Sequence, residues 1–325
     1  MRVKPVPRLL VTRRLPDAVE RHLSALFDVT LNPDDRPLSR NALCEAMKSH
    51  NALCPTITDR IDADLLSSPG LPVRIIANFG AGLDHIDLAA ASHAGIVVTN
   101  TPDALTDATA DLALLLMMMA ARRAGEGERE LRAGHWAGWR PTHMLGQGLG
   151  GKLLGLVGFG RIAQATAARA AACGMRIAYF SRSAAPADVA ARLSATRTAS
   201  LEGLAQAADV LSLHVPGGSD TRHLVDARLL ARMKPTALLI NTARGSVVDE
   251  AALADALSTG RIAAAGLDVY EREPAVHPGL LNLDNVVLLP HLGSATIETR
   301  TAMGLQVAAN LEAFFKGQEP PNRMA

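Results

Sequence analysis

The sequence is poor in aromatic residues and cysteines and carries almost no net charge. Its three cysteines, Cys44, Cys54 and Cys173, are far apart and show no CxxC or metal-ligand spacing. We therefore expect no disulfide and no metal site, as is typical of a protein in the reducing cytoplasm. The net charge is +1 and both signs are mixed along the chain, so no basic region indicates a nucleic-acid partner or an anionic membrane surface.

Long hydrophobic runs are also missing. The longest, "LALLLMMMAA" at 112–121, lies between Asp111 and Arg122 and is shorter than the ~20 residues that a membrane-spanning helix needs. The first residues, "MRVKPVPRLLVT", begin with basic charge but lack an apolar stretch of signal-peptide length. These observations predict a soluble cytoplasmic protein without a membrane partner.

Short apolar runs, in contrast, alternate with alanine-rich helical patterns such as 161–173 and 249–259. The predicted strands are 8–12, 73–79, 95–100, 152–157, 175–180, 209–215, 236–241, 262–269 and 285–290. Most are apolar on both faces, as in parallel sheets that helices cover on both sides. This alternation predicts a doubly wound α/β fold, and 325 residues are enough for two domains.

A glycine-rich turn follows the predicted strand 152–157. Gly158, Gly160 and Ala163 stand at the spacing of a dinucleotide-binding fingerprint, between an apolar strand and an alanine-rich helix. Gly158 permits the tight turn, Gly160 lets the backbone approach a pyrophosphate, and the helix N-terminus offers free N–H groups. A second copy of the pattern, "GQGLGG" at 146–151, follows a loop and precedes a strand, so we interpret it as a glycine-rich loop and not as a dinucleotide-binding turn.

The acidic residue that binds the ribose 2′-hydroxyl of NAD is missing about 20 residues after the turn. The sequence there is "YFSRS", with Ser181 and Arg182 at the end of a predicted strand. A guanidinium group and neighbouring hydroxyls match the geometry of a 2′-phosphate. We therefore interpret Arg182 as a ligand of the 2′-phosphate and not as a solvated surface arginine. This favours NADP(H) as the preferred cofactor, with NAD(H) possible.

Polar residues come directly after three of the later strands. Arg244 follows 236–241, Asp268 lies at the end of 262–269 with Glu273 after it, and His291 follows 285–290. Ligands collect at the carboxyl ends of parallel strands. An arginine that binds a carboxylate, a histidine that donates a proton and a carboxylate that orients the histidine suit the reduction of a 2-keto acid. Each residue taken alone could equally be structural.

The motifs "GFGRIAQ", "INTARGSVVDE", "AGLDVYEREP" and "LLPHLGSAT" together resemble the D-isomer-specific 2-hydroxyacid dehydrogenase family over nearly the whole chain. The resemblance implies that Arg244, Glu273 and His291 are catalytic, with Arg244 and His291 also contacting the substrate. It implies a Rossmann-type cofactor domain at 101–289, inserted into a flavodoxin-like substrate domain built from 1–100 and 290–325. It also implies that the turn 79–82 (Phe79, Gly80, Ala81 and Gly82) binds the substrate carboxylate through backbone amides.

Further cofactor contacts are implied by the same resemblance. They lie in the glycine-rich turn and its helix, after four later strands and on the long apolar helix. Together with Gly158, Gly160, Ser181 and Arg182, they are Thr109, Arg161, Ile162, His214, Pro216, Thr242, Ala243, Asp268 and Gly293.

Within the family, "GHWAGWRPTHMLG" and "SRS" are most similar to glyoxylate/hydroxypyruvate reductases. That likeness implies a homodimer formed partly by the glycine-rich segment 122–151, with Trp139 reaching the neighbour's substrate site and restricting substrate size. Trp139 could also be only an aromatic anchor of the interface. Three alternatives stay open: an NAD-dependent D-3-phosphoglycerate dehydrogenase, an NAD-dependent hydroxyphenylpyruvate-type dehydrogenase, and a non-catalytic dinucleotide-sensing corepressor of the same fold.

Overall fold

The strands are short and most of them are buried throughout their length. A computed structural model describes residues 6–68 and 70–325. Its strands are β1 (Arg8–Val11), β2 (Asp28–Thr30), β3 (Ala52–Cys54), β4 (Ile75–Ala77), β5 (Val97–Thr99), β6 (Leu153–Val157), β7 (Arg176–Phe180), β8 (Ala195–Arg197), β9 (Val210–Leu213), β10 (Leu238–Asn241), β11 (Ala264–Leu267) and β12 (Val286–Leu288).

The helices lie between the strands, and side chains cap many of their N-termini. They are α1 (Asp17–Leu26), α2 (Arg40–Ser49), α3 (Ala63–Leu66), α4 (Leu88–His93), α5 (Thr106–Ala121), α6 (Ala124–Arg132), α7 (Arg161–Ala172), α8 (Ala187–Arg192), α9 (Leu201–Ala207), α10 (Ala227–Leu230), α11 (Glu250–Ser258), α12 (Pro278–Leu281) and α13 (Ile297–Phe315). Within 6–68 and 70–325, no helix is long and apolar enough to cross a membrane.

The chain divides into two compact units. One is formed by the two ends of the chain, up to Leu105 and from Ala295 to Ala325, and the other by Thr106–Ser294. Both limits of the second unit lie a few residues beyond the predicted 101 and 289. The difference at the later limit has a physical cause, since Thr109 and Asp268 hold Gly293 by hydrogen bonds within the second unit.

The first unit has a five-stranded parallel sheet in the order β2-β1-β3-β4-β5. This is the flavodoxin-like order. One face packs against α2, α3 and α4, and the other against α1 and α13. The side chains of Val307 and Leu311 bring the last helix into this core, which explains why the two chain ends form one unit.

The second unit has a seven-stranded sheet in the order β12-β11-β10-β9-β6-β7-β8, with all neighbours parallel. The reversal of strand order between β6 and β9 is that of the Rossmann fold. Apolar clusters cover both faces, one containing α5 and α7 and the other α9, α10 and α11. Because parallel strands end at one edge of the sheet, the polar residues after β6, β7, β9, β10, β11 and β12 share that edge.

Candidate active site

The glycine-rich turn after β6 has the geometry of a phosphate cradle. Gly158 has φ of +87°, and a Cβ there would meet the carbonyl oxygen of His214, so only glycine fits. A Cβ at Gly160 would enter open space, where α7 begins without a side-chain cap. The N–H groups at this helix start, at Arg161 and Ile162, therefore face a site that suits a pyrophosphate.

Buried polar atoms support a dinucleotide in the second unit. The hydroxyl of Thr242, after β10, is buried and has no hydrogen-bond partner among the described residues. His214, after β9, lies 2.9 Å from the Ser212 hydroxyl through its Nε2. Burial lowers the pKa of the His214 imidazole to about 4, so this ring is neutral near pH 7. Thr242 and His214 are both residues that the sequence predicts at the cofactor.

The turn after β7 presents one exposed guanidinium. The Arg182 side chain is 89% exposed and its Nη1 lies 3.8 Å from Oδ2 of Asp220. The Ser181 hydroxyl donates to the carbonyl oxygen of Ser183, and Arg197 donates to the carbonyl oxygens of Ser181 and Arg182. Sequence reasoning missed Asp220 and Arg197, which come from other loops and strands than the "SRS" motif.

A histidine and a glutamate meet at the carboxyl edge of the sheet. Nδ1 of His291 donates to Oε2 of Glu273 over 2.8 Å. A carboxylate only accepts hydrogen bonds, so Nδ1 carries the proton and Nε2 is the nitrogen directed away from Glu273. Burial favours the neutral form of the Glu273 carboxyl, but the His291 contact, the Tyr270 amide and the charge of Arg244 outweigh it and lower its pKa.

Asp268 shapes the backbone around His291. It is 1% exposed, and its two carboxylate oxygens accept from the amides of Leu292 and Gly293 at 2.6 and 2.8 Å. Its carbonyl oxygen accepts from the His291 amide. These bonds stabilise the left-handed conformation of His291, whose φ is +54°. Burial, partly offset by these amides and His291, raises the pKa of Asp268.

The long apolar helix reaches the same turn. The hydroxyl of Thr109, on α5, donates to the carbonyl oxygen of Gly293 over 3.0 Å. Thr109 is nearly buried, so its hydroxyl is part of the packing around the 291–293 turn. The sequence predicts a cofactor contact for Thr109, and this hydrogen bond gives it a structural task as well.

The loop that carries Arg244 packs directly on the segment that carries Glu273. Asn241 organises the loop, because its side chain donates to the carbonyl oxygen of Arg244 and accepts from the Ala243 amide. A Cβ at Gly245 would overlap the peptide between Tyr270 and Glu271, so the two backbones touch. The second unit thus brings Arg244, Glu273 and His291 into one electrostatic neighbourhood.

In the first unit, two asparagine side chains hold the carbonyl oxygens of Gly80, Ala81 and Gly82 in the turn 79–82. Asn78 is fully buried and donates to the carbonyl oxygens of Gly80 and Gly82, while Asn100 donates to that of Ala81. In a trans peptide the N–H points opposite to the C=O. The amides of Ala81, Gly82 and Leu83, which follow these carbonyls, therefore point away from the two asparagines, as an anion-binding turn requires. The amides of Phe79 and Gly80 do not, because they donate to the carbonyl oxygens of Pro55 and Asn78. Sequence reasoning missed Asn78 and Asn100, although Asn78 directly follows β4.

The segment 122–151 contains α6, a helix without buried residues. Trp139 is 82% exposed, and Leu131, Trp136 and Leu145 are also exposed. So many large apolar side chains in one segment are typical of a surface that a partner covers. A Cβ at Gly146 would overlap the carbonyl oxygen of Ala121, so a packing contact accounts for this glycine. This supports the interpretation of "GQGLGG" as a glycine-rich loop.

Comparison with known proteins identifies the family. A sequence model of the D-isomer specific 2-hydroxyacid dehydrogenase NAD binding domain matches residues 114–293. The chain is 45% identical to a glyoxylate reductase of Thermococcus litoralis over 321 residues, 97% of this chain and 96% of that protein. A glyoxylate reductase of Aeropyrum pernix is 46% identical over 324 residues, 97% of this chain and 95% of that protein.

Solved structures with a similar fold indicate the same family. An NADPH-dependent glyoxylate/hydroxypyruvate reductase of Sinorhizobium meliloti, in complex with NADP and malonate, has a TM-score of 0.85 at 38% identity, over 98% of this chain and 97% of that one. A D-isomer specific 2-hydroxyacid dehydrogenase structure from Polaromonas reaches 0.92 at 37% identity, over 99% and 100%.

The chain belongs to the D-isomer-specific 2-hydroxyacid dehydrogenase family. It is an oxidoreductase that reduces 2-keto acids with a nicotinamide dinucleotide. The family, the fold class and the enzyme class predicted from the sequence are confirmed.

Proposed function

We propose that this enzyme is an NADP(H)-preferring reductase of small 2-keto acids, glyoxylate or hydroxypyruvate, which yields the D-2-hydroxy acid from hydroxypyruvate and the achiral glycolate from glyoxylate. The observation that carries the proposal is the His291–Glu273 pair at the carboxyl edge of the Rossmann sheet. It belongs to the same unit as the phosphate cradle at Gly158 and Gly160 and has Arg244 in electrostatic reach.

In this proposal His291 is the proton donor. When bound, the reduced nicotinamide supplies a hydride, two electrons and a proton, to the carbonyl carbon. His291 transfers the proton of Nε2 to the carbonyl oxygen, so the keto acid becomes a hydroxy acid and His291 is left neutral. Glu273 stays ionised, fixes the ring through Nδ1 and stabilises the charged imidazolium before transfer.

Binding of the substrate rests on fixed charges and amides. Arg244 offers a guanidinium to the carboxylate and polarises the carbonyl group. In the first unit, the amides of Ala81 and Gly82 in the turn 79–82 would bind a carboxylate as an anion-binding turn. Both groups favour a small 2-keto acid over a neutral carbonyl compound.

The cofactor would be held by the residues that the sequence predicts. Gly158, Gly160, Arg161 and Ile162 would receive the pyrophosphate at the start of α7. Other contacts would come from Thr109, His214, Pro216, Thr242, Ala243, Asp268 and Gly293. Ser181 and Arg182 would bind the 2′-phosphate, and the exposed guanidinium after β7 supports this preference.

The homodimer is part of the proposal. The exposed apolar side chains of 122–151 would be covered by a second copy, and Trp139 would restrict substrate size there. Light scattering should give about twice the chain mass.

Trp139→Ala should improve the relative turnover of phenylpyruvate several-fold over glyoxylate, with Trp136→Ala as a control. An unchanged substrate profile would make Trp139 only an aromatic anchor of the interface.

The experiment that tests the function is a turnover matrix. Glyoxylate, hydroxypyruvate, phenylpyruvate and phosphohydroxypyruvate would each be reduced with NADPH and with NADH. We expect the first two substrates with NADPH to have the highest kcat/KM. Preference for the phosphorylated or the aromatic substrate would favour the corresponding alternative dehydrogenase, and cofactor binding without turnover of any keto acid would favour a sensor.

The cofactor preference has its own test. Arg182→Ala should raise KM for NADPH about 10-fold and leave KM for NADH within about 2-fold, since one charge-assisted phosphate contact contributes about 1.5–3 kcal/mol. Arg176→Ala, at the opposite end of β7, is the matched control. Equal effects on both cofactors would remove Arg182 from the phosphate site.

A further inference from the structure

A second buried carboxylate lies next to the segment that carries Glu273. Glu250 is the first residue of α11 and is 5% exposed. Its Oε1 accepts from the amide of Glu271 at 2.6 Å, and its Oε2 accepts from the amide of His277 at 3.1 Å. One carboxylate therefore holds the segment 271–277 at both of its ends, with Glu273 between them.

The two hydrogen bonds explain how this carboxylate remains buried. An ionised carboxyl group costs several kcal/mol to bury unless its oxygens are satisfied. Here each oxygen receives a backbone N–H, and charged acceptors make roughly twice as strong a bond as neutral ones. A glutamine at this place would offer one acceptor and one donor, so one of the two amides would lose its partner.

The position of Glu250 is itself fixed. Asp249, the preceding residue, caps α11 by accepting from the amide of Ala252. Leu253 and Leu257 of the same helix are buried in the core of the second unit. The helix therefore gives Glu250 a rigid base, and its side chain connects that base with the 271–277 segment.

The geometry points to Glu250 as a positioning residue for catalysis: by holding both ends of 271–277, we propose, it sets the Glu273 carboxylate against Nδ1 of His291. This inference rests on the proposed function, in which Glu273 orients the proton donor. Glu250 contacts neither His291 nor the reacting atoms in this scheme, and its effect passes through Glu273.

The test is a double-mutant cycle of Glu250→Gln and Glu273→Gln. Glu250→Gln should lower kcat about 10-fold and leave KM for NADPH within about 2-fold, because it disturbs orientation and not cofactor binding. Its pH profile of kcat/KM should move in the same direction as that of Glu273→Gln. The kcat of the double variant should be no more than about 2-fold below that of Glu273→Gln alone, since the two residues act in series.

A matched control removes a similar carboxylate elsewhere. Asp209 accepts from the amide of Leu153 and from Lys234 at the amino end of β9, away from the catalytic edge. Asp209→Asn should lower the melting temperature without changing kcat or the pH profile. Hydrogen exchange should become faster in 270–278 for Glu250→Gln and stay unchanged there for Asp209→Asn.

Several outcomes would overturn the inference. Full activity in Glu250→Gln, or losses that multiply in the double variant, would make Glu250 merely structural. If Glu250→Gln does not fold, Glu250→Asp, which is too short to reach both amides, takes its place in the same cycle. If Glu273→Gln alone keeps full activity, the proposed function fails at the orientation of its proton donor, His291, and this result is separate from any result at Glu250.

Discussion

Two of the histidine–glutamate pairs in the second unit have nearly equal hydrogen-bond lengths and differ in placement. His291 donates through Nδ1 to Glu273 over 2.8 Å, and His223 donates through Nε2 to Glu271 over 2.9 Å. The paired carboxyl groups both have lowered pKa values, although burial opposes the shift in each. A histidine–carboxylate hydrogen bond is therefore not, by itself, the mark of a catalytic group.

The difference lies in what surrounds each pair. His291 follows β12 at the carboxyl edge of the sheet, and its Nδ1 is the nitrogen in use. His223 uses Nε2, shares its glutamate with Arg222, and lies in a loop whose backbone pairs with Ser246. In the proposed function, the first pair leaves Nε2 of His291 for a substrate, whereas the second pair connects two loops.

The largest effect should come from His291→Gln, which removes the proton donor. We expect kcat to fall by about 10³-fold or more, within the range for loss of general acid catalysis. The dissociation constant for NADPH, followed by fluorescence titration, should stay within about 2-fold. A variant that keeps most of its turnover would end the distinction between the two pairs.

Glu273→Gln should have the next largest effect, about 10- to 100-fold on kcat, since the ring keeps a hydrogen-bond acceptor but loses the charge that stabilises the imidazolium. Because the pKa of Glu273 lies below its usual range, its carboxylate stays ionised throughout pH 5–8. The acid limb of the wild-type pH–rate profile should therefore lie below pH 5, as far as it depends on Glu273. Rate measurements from pH 4 to pH 9 would check this, and an acid limb near pH 6 that disappears in Glu273→Gln would contradict it.

His223→Gln applies the same substitution to the second pair. We expect kcat within about 2-fold and a loss of about 0.5–1 kcal/mol in the free energy of unfolding, typical of a partly exposed pair. The lowered pKa of Glu271 makes its pairing stabilising above the unfolded pKa of about 4.3, and this is lost as the pH falls through the folded pKa. The difference in the free energy of unfolding between His223→Gln and the wild type, measured with urea, should thus become smaller as the pH falls. A large loss of turnover would place His223 in catalysis.

The smallest effect, on the pH dependence of stability, is expected from His214, whose ring contacts the Ser212 hydroxyl. Its imidazole, with a pKa of about 4, should show no titration by NMR between pH 5.5 and pH 8. The unfolded chain binds a proton there near pH 6.5, so this residue lowers stability as the pH falls from about 6.5 towards 4. A ring that titrates near pH 6.5 would show that His214 is solvated.

The sequence predicts the strands of the second sheet because most are apolar on both faces. β2 and β8 were missed because they are edge strands of three residues with largely exposed side chains. β3 is buried but equally short, and its three residues carry no periodicity. β5 and β12 are equally short edge strands, yet the sequence predicts them because they lie within longer apolar runs, which β2, β3 and β8 lack.

The site divides in a similar way. The sequence makes Arg244, Glu273 and His291 candidates because each follows an apolar strand, and the resemblance to the family implies their catalytic roles. Glu250 and Asn78 act on backbone amides and carbonyl groups, and no side-chain motif records those partners. A glutamate at a helix start is ordinarily a solvated residue, so its burial beside the 271–277 segment becomes visible only in three dimensions.

The contact at Gly245 has a consequence for enzyme engineering. Since the backbone of the Arg244 loop lies directly on the Tyr270–Glu271 peptide, neither segment has room to change its path alone. Loop exchange with another enzyme of the family should therefore transfer 241–248 and 270–277 as one cassette. A graft of either segment by itself would have to carry a compatible glycine and the matching partner backbone, or the arginine and the glutamate would lose their common register.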